Sequence, residues 1–280
     1  MPAVYLALES AQTKCDFVRG VLARHADIFE GARSVFVKPN LVSEEAYPTT
    51  TDPMVLDAVL TSLSSYDVAV AVGDGPAYDY SWRGEAGAVS SHHPLRSVCD
   101  NHNVEWINLN QREHVKCRLM HGAELSISTV PRSYDVSIAL PVLKRHITCT
   151  ITGAVKNQFG LLDIQERGVL HRGLSDLDRS IAAIAATERC QLYILDAVET
   201  LLHAEERRHG GQKAFLGYML ASADPVALDS AGFALLQRRD RSLTHSRVQD
   251  VLHLTCAAEY GAGTMDYELV DFANTTQPAR

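Results

Sequence analysis

Ionisable side chains follow four of the apolar runs in this chain. Lys38-Pro39-Asn40 follows SVFV, and Asp74-Gly75-Pro76 follows DVAVAVG. Lys144, Arg145 and His146 come just after DVSIALP, and Asp196 follows QLYIL. Pro39 pushes Lys38 into an extended conformation, and Asn40 tolerates the turn that must come next. In open α/β sheets, ligands sit beyond the carboxyl ends of the strands. A rim carrying Lys38, Lys144 and His146 opposite Asp74 and Asp196 would therefore gather cations and carboxylates around one cleft, each charge holding the others ionised. One charged residue after a strand only marks the exit of the chain into water; recurrence at four ends points to a site.

The stretch TITGAVKNQFG, residues 150–160, places Lys156 and Asn157 among apolar and small residues. Read as part of a helix over 147–160, it puts Thr148, Thr152, Lys156 and Phe159 on one stripe. Ile147, Ile151, Ala154 and Val155 then form an apolar face, and Gly160 caps the C-terminus. The stripe would line the rim; the plainer alternative is a lysine facing solvent and complementing the helix dipole. His171 and Arg172, in VLHRG, read as a loop able to fold over that rim. His146 and His171 are the candidate proton-transfer groups, because an imidazole titrates near neutrality. Asp229 lies inside PVALDSAGFALL, where a carboxylate without a partner is costly. It is expected either to pair with a rim lysine or a metal, or to sit on a solvent-facing side of the helix. Asp224, just before Pro225, reads as an N-cap.

Other chemistries lack their signatures. The formal net charge of −8 argues against a general nucleic-acid surface, which needs a basic stripe, but leaves room for a small anion in a local basic pocket. The six cysteines are scattered with no C-x-x-C pair, so neither a zinc ribbon nor a ferredoxin-type cluster motif is present. There is no dinucleotide fingerprint, Walker loop or nucleophile elbow. His92 and His93 are adjacent and poorly placed to share an ion, HAEERRH (203–209) reads as a solvated charge run, and the spacing of His253 and Cys256 is within chance. No apolar run approaches the roughly 20 residues of a membrane span. MPAVYLALES lacks the basic flank of a signal peptide, so the expected location is cytoplasmic.

The elements that must position these groups alternate between short apolar runs and helical patterns. Strands are expected over 4–9, 34–39, 67–73, 104–109, 135–141, 191–196 and 215–222. Helices are expected over 10–29 with Ser10 as cap, 52–63 with Asp52 and Pro53 at its start, 94–102, 147–160, 175–189, 224–239 and 247–260. The alternation predicts an α/β fold with a mainly parallel sheet and flanking helices. The middle of the chain, roughly 110–134, would add antiparallel strands at one edge or form a small second lobe. No linker composition marks a boundary, so residues 1–273 are expected to form one domain, with 274–280 a frayed tail.

Taken in order, VFVKPNLV, TTTDPMVLDAVL, VAVGDGPA, VEWINLN, LPVLKRHITCTITGAVKNQFGLLD, VLHRG, LYILDAVE and ASADPVALDSAG resemble the family catalogued as domain of unknown function 362. The K-P-N, L-P-x-x-K-x-H, T-G-x-x-K-N-x-F-G and D-P-V-A-x-D elements carry the resemblance, which runs from about residue 33 to about residue 236. It implies that Lys38, Asn40, Asp74, Lys144, His146, Lys156, Asn157, His171, Asp196, Asp224 and Asp229 occupy family motif positions, without assigning their roles. Family members are often described as iron–sulfur centre proteins because some carry a fused ferredoxin-like module; this chain, without that module's cysteines, looks like the stand-alone domain. It departs from the family at AVETLLHAEERRHGGQK (197–213), where a Gly-rich segment is usual. The expectation is an enzyme acting on a small anionic metabolite. Lys38, Asn40, Asp74, Lys144, Lys156, Asn157 and Arg172 would bind it, and His146, His171, Asp196 and Asp229 would supply the acid–base chemistry of a lyase, isomerase or hydrolase. The alternatives are a divalent-metal enzyme using Asp74, His146, His171 or Asp196, and a non-catalytic module that binds a metabolite or redox partner.

Overall fold

The computed structural model describes residues 1–8, 13–77, 90, 92–173 and 176–275. Along the chain, β1 (Ala3–Leu8) is followed by α1 (Lys14–Arg24), β2 (Ser34–Pro39), α2 (Pro53–Leu63), β3 (Ala69–Asp74), α3 (Pro94–Asn101) and β4 (Glu105–Asn108). Next come β5 (His114–Arg118), β6 (Glu124–Ser128), β7 (Val136–Leu140), β8 (Lys144–His146) and β9 (Thr150–Thr152). Helices α4 (Ala154–Asn157), α5 (Ile164–His171) and α6 (Leu177–Thr187) precede the long strands β10 (Leu192–Leu202) and β11 (Gln212–Ser222). α7 (Pro225–Arg239), α8 (Leu252–Glu259) and β12 (Glu268–Asp271) complete the order.

Eight strands form the main sheet in the order β12-β1-β11-β10-β7-β2-β3-β4. β11 runs against its neighbours β1 and β10, and the remaining pairings are parallel. The fold is thus α/β with a mainly parallel sheet, as the alternation of patterns predicts. Side chains alternate between the faces of each strand. Val35 and Val37 join α1 and α2 in one core, while Phe36 joins the core containing α6, α7 and α8. Caps follow sequence logic: Asp52 accepts from the Met54 amide, and Asp224 accepts from the Val226 and Ala227 amides, each with proline in the first turn. The middle of the chain pairs β5 with β6 as an antiparallel sheet of its own, apart from the eight strands.

Four expectations need correction. The helix expected over 147–160 is instead the β8–β9 hairpin followed by the single turn of α4 and a 3-10 turn, Gln158–Leu161. Five of the six residues in ITCTIT (147–152) are β-branched, which favours extended backbone and outweighs the four-residue spacing. Thr148 is consequently exposed, Ile147 is 63 % exposed, and Gly160 lies within the 3-10 turn instead of capping a helix. The helix expected over 10–29 is confined to α1, followed by a 3-10 turn at Ala26–Phe29. The segment carrying His171 is not a loop: Asp163 accepts from the Gln165 and Glu166 amides and starts α5, which ends at His171. Finally, β10 continues six residues past Asp196 and pairs with β11 out to Leu202 and Gln212, so 197–213 is the arm and tip of a hairpin. Ser10 and residues 276–280 of the expected tail lie outside the described residues.

Candidate functional site

β2 and β3 are parallel neighbours, and their carboxyl ends deliver Asn40 and Asp74 to the wall of a cavity of about 240 Å³. The β8–β9 hairpin contributes Lys144, His146 and Thr152. The turns that follow add Lys156, Asn157, Phe159 and Gly160, α5 adds Arg167 and His171, and the β10–β11 tip adds Glu205, Glu206 and His209. Seven of the expected site residues meet here: Asn40, Asp74, Lys144, His146, Lys156, Asn157 and His171.

Lys38 lies beneath this wall. Its Nζ donates to Asp74 Oδ1 at 2.6 Å and to Asn157 Oδ1 at 3.5 Å. Asp74 also accepts from the Leu41 amide at 2.7 Å and the Gly75 amide at 2.8 Å, so both of its oxygens are occupied by the protein. The pair is sunk in the fold, with Lys38 1 % and Asp74 2 % exposed. Gly160 is the residue that fits above it, because a Cβ there would run into the Asp74 carboxylate and approach Lys38 Nζ to 3.0 Å. The Lys38 ammonium fixes the Asn157 amide with its oxygen toward the lysine. Among the described residues, Asn157 Nδ2 and Thr152 Oγ1 are buried without a hydrogen-bond partner, and both residues line the cavity.

The two histidines are held in opposite tautomers. His146 Nδ1 accepts from the Thr148 and Cys149 amides, each at 3.1 Å, so the ring proton resides on Nε2. Burial holds its pKa far below the ordinary value, and the nearby Lys156 charge adds to the effect, so this imidazole is neutral and acts as a donor. A ring whose Nδ1 is occupied and whose Nε2 is protonated offers no lone pair to a metal. His171 is the reverse case. Its Nδ1 faces the Arg167 carbonyl oxygen at 2.8 Å, which can only accept, leaving Nε2 with the lone pair. His171 is exposed at the cavity mouth, its ring edge-on to Phe159 at 5.4 Å. Desolvation at the mouth and the Lys156 charge keep its pKa below the usual imidazole value. Lys156 Nζ sits 5.1 Å from the Phe159 ring centroid, so one phenyl ring touches both groups.

Besides Lys38, which is buried behind the wall and bonded to Asp74 and Asn157 instead of facing a ligand, three expected residues fall outside the cavity wall. Asp196 is 1 % exposed within β10, where it accepts from Lys14 Nζ at 3.2 Å, Tyr47 Oη at 2.7 Å and the Val198 amide at 2.9 Å. Lys14 also pairs with Asp52, so the network ties α1, α2 and the 40–51 loop to the sheet. Asp229 accepts from the Ala154 and Val155 amides at 2.6 and 2.9 Å and so holds the turn that carries Lys156 and Asn157. A Cβ on Gly153 would collide with that carboxylate, which explains the glycine. Arg172 is exposed beyond the end of α5.

Sequence reasoning missed two contributors. Arg167, which no motif singles out, is 3 % exposed, and its Nη1 donates to the Gly75 and Pro76 carbonyls, each at 2.8 Å. HAEERRH is only in part a solvated run: His203, Arg207, Arg208 and His209 are exposed, but Glu205 and Glu206 turn inward, and with His209 they bring ligand atoms within 4.8 Å of one another at the cavity wall. Arg208 already holds both oxygens of Glu206, at 2.8 Å each, and Glu205 accepts from the Ile147 amide at 3.2 Å. The departure of this segment from the family's usual glycines was the available signal.

No curated protein sequence matches the chain. Among solved structures it is similar to a lactate racemase apoprotein from Thermoanaerobacterium thermosaccharolyticum, at 14% identity and a TM-score of 0.48, over 82% of this chain and 56% of that one. A protein from Thermotoga maritima aligns at 10% identity and a TM-score of 0.41, over 80% of this chain and 59% of that one. The chain thus spans little more than half the length of either. No helix among the described residues is long and apolar enough to cross a membrane. The family model described as domain of unknown function (DUF362) matches residues 35–234, and the chain belongs to that family.

Proposed function

We propose that this protein is an enzyme acting on a small anionic metabolite, with acid–base chemistry divided between His146 and His171. The observation that carries the reading is the meeting of Lys144, His146, Lys156 and His171 around one cavity, with the two imidazoles in opposite tautomers. Lys156 and the unpartnered Asn157 Nδ2 would hold a carboxylate or phosphate. His146, a neutral Nε2–H donor, suits an oxygen on which charge develops, because a fixed donor in a desolvated site needs no reorganisation. His171, with its Nε2 lone pair at the mouth, suits the role of base. Asp196 and Asp229 become positioning residues in this reading, and Lys38 supports Asp74 and Asn157.

The test is thermal denaturation of wild type and Lys156→Ala in the presence of phosphate, oxalate, glyoxylate and pyruvate. An anion at a hundredfold excess over its Kd stabilises the native state by about 2.7 kcal/mol. For a chain of this size that corresponds to a rise in Tm of about 5 °C. The rise is expected in the wild type and should be mostly lost in Lys156→Ala. A panel that leaves the wild type unmoved, or moves both proteins equally, overturns the reading. If a binding anion is found and His146→Asn and His171→Gln bind it unchanged, with no turnover to lose, the protein is a binding module.

A further inference from the structure

Lys14, Lys38 and Lys144 are each no more than 1 % exposed. Two of them are neutralised in place: Lys14 by Asp52 and Asp196, and Lys38 by Asp74. Among the described residues, Lys144 has no carboxylate within ion-pair distance. Its Nζ donates to the backbone carbonyl of Thr49. An ammonium group withdrawn from water with one neutral acceptor loses hydration that it does not regain, which shifts the balance toward the free amine. Burial accordingly pulls the Lys144 pKa down to about 7, with the Lys156 charge acting the same way and Glu206, Glu205 and Glu45 opposing. A neutral amine carries a lone pair. Lys144 and His146 are two apart on β8 and project from the same face of the strand, and both line the cavity.

We propose that Lys144 is a nucleophile, forming an imine with the carbonyl carbon of a small anionic aldehyde or ketone. This role rests on the anionic-metabolite reading above and narrows its substrate to carbonyl compounds such as 2-oxo acids. The Lys144 Nζ lone pair forms the new C–N bond as the carbonyl π pair moves to oxygen, where the Nε2–H of His146 stabilises the charge. His171 Nε2 carries the two protons released by the nitrogen to that oxygen, one after the other. The C–O bond then breaks and water leaves, so C=N replaces C=O with no change of oxidation state. Lys156 and Asn157 hold the substrate carboxylate during the exchange. Nucleophilic lysines in other enzymes are likewise activated by desolvation beside a second cation.

The test uses the wild-type protein, so it does not depend on whether a variant folds. Protein at pH 7 is treated with glyoxylate and sodium cyanoborohydride, which reduces an imine in place to a stable secondary amine. Peptide mapping by mass spectrometry then gives a labelling rate for each lysine. At pH 7 an amine of pKa about 7 is about half neutral, whereas an ordinary lysine is neutral in roughly one molecule per thousand or fewer. Burial slows entry, and Lys144 is still expected to be labelled at least about tenfold faster than the exposed Lys116 and Lys213. Oxalate, which has no aldehyde or ketone carbonyl, should protect Lys144 and leave the two surface lysines unaffected. Labelling of Lys144 no faster than Lys116 and Lys213 overturns the proposal. If oxalate or phosphate still raises the Tm of wild type but not of Lys156→Ala, that result removes the imine and leaves the anion-binding reading standing. Selective, oxalate-protected labelling of Lys144 supports both.

Discussion

Replacing Asp229 with asparagine tests how a buried acid holds the turn that carries Lys156 and Asn157. Asp229 is fully buried, and its carboxylate accepts from two amides, Ala154 and Val155. Burial pushes its pKa from 3.8 to about 7, against the pull of those two amides and with a small push from Asp224. Because the folded pKa lies above the unfolded one, the native state holds more protons between the two values. The stabilisation is fully present below the unfolded pKa and is lost as pH rises to about 7. From pH 5 upward about two pKa units of this window remain, equivalent to about 3 kcal/mol. Asparagine does not titrate, and it offers one acceptor oxygen in place of two. At pH 5 the variant should be less stable by about 1–3 kcal/mol, the consequence of one orphaned amide. By pH 8 the gap should have moved about 3 kcal/mol in the variant's favour. Urea denaturation of both proteins at pH 5, 6, 7 and 8 measures it, and differencing removes the contributions of every other titrating group. A gap that stays constant within about 0.5 kcal/mol over this range would mean that Asp229 is ionised throughout, and the reasoning about its burial would be wrong.

Two further expectations concern the groups around the cavity. Asp74→Ala leaves the Lys38 ammonium buried without its counter-ion and frees the Leu41 and Gly75 amides, so a loss of about 3–5 kcal/mol is expected from the urea midpoint; a loss below about 1 kcal/mol would show that Lys38 finds water or another acceptor. His146 has a folded pKa held well below its unfolded value, so its contribution to stability is present above pH 6.5 and disappears as pH falls. His146→Asn keeps an acceptor near the Thr148 and Cys149 amides and should unfold at a lower pH than the wild type in an acid titration followed by circular dichroism; superimposable acid curves would contradict the assignment of a buried neutral ring.

Much of the frame was readable from local pattern. Continuous apolar runs such as DVAVAVG and DVSIALP mark strands buried on both faces, and the Asp-Pro starts of α2 and α7 mark helix caps, because both signals lie within a few residues of sequence. ITCTIT was misread as helical because a four-residue spacing of polar groups can arise on a strand and turn as well as on a helix. Antiparallel pairing with Lys144–His146, only a few residues upstream, decided the matter, and the β-branched run was the local signal for it. Asp196 was misplaced at a strand end because the extension of β10 depends on β11, some twenty residues further on.

By itself the sequence determined that lysines, histidines and carboxylates recur near strand ends of an α/β sheet, and that cluster cysteines and dinucleotide glycines are missing. Only the tertiary structure decided which of those charges are neutralised. Lys14, Lys38, Asp74 and Asp196 are consumed in internal ion pairs, Asp229 serves a backbone turn, and Lys144 is left facing a cavity with a carbonyl oxygen for company. The physical reason is range. Charge pairing and burial are set by neighbours brought within a few ångströms by folding, from residues as far apart as 182 positions for Lys14 and Asp196. Side-chain type is written at each position, whereas its protonation and partner exist only once the sheet has assembled.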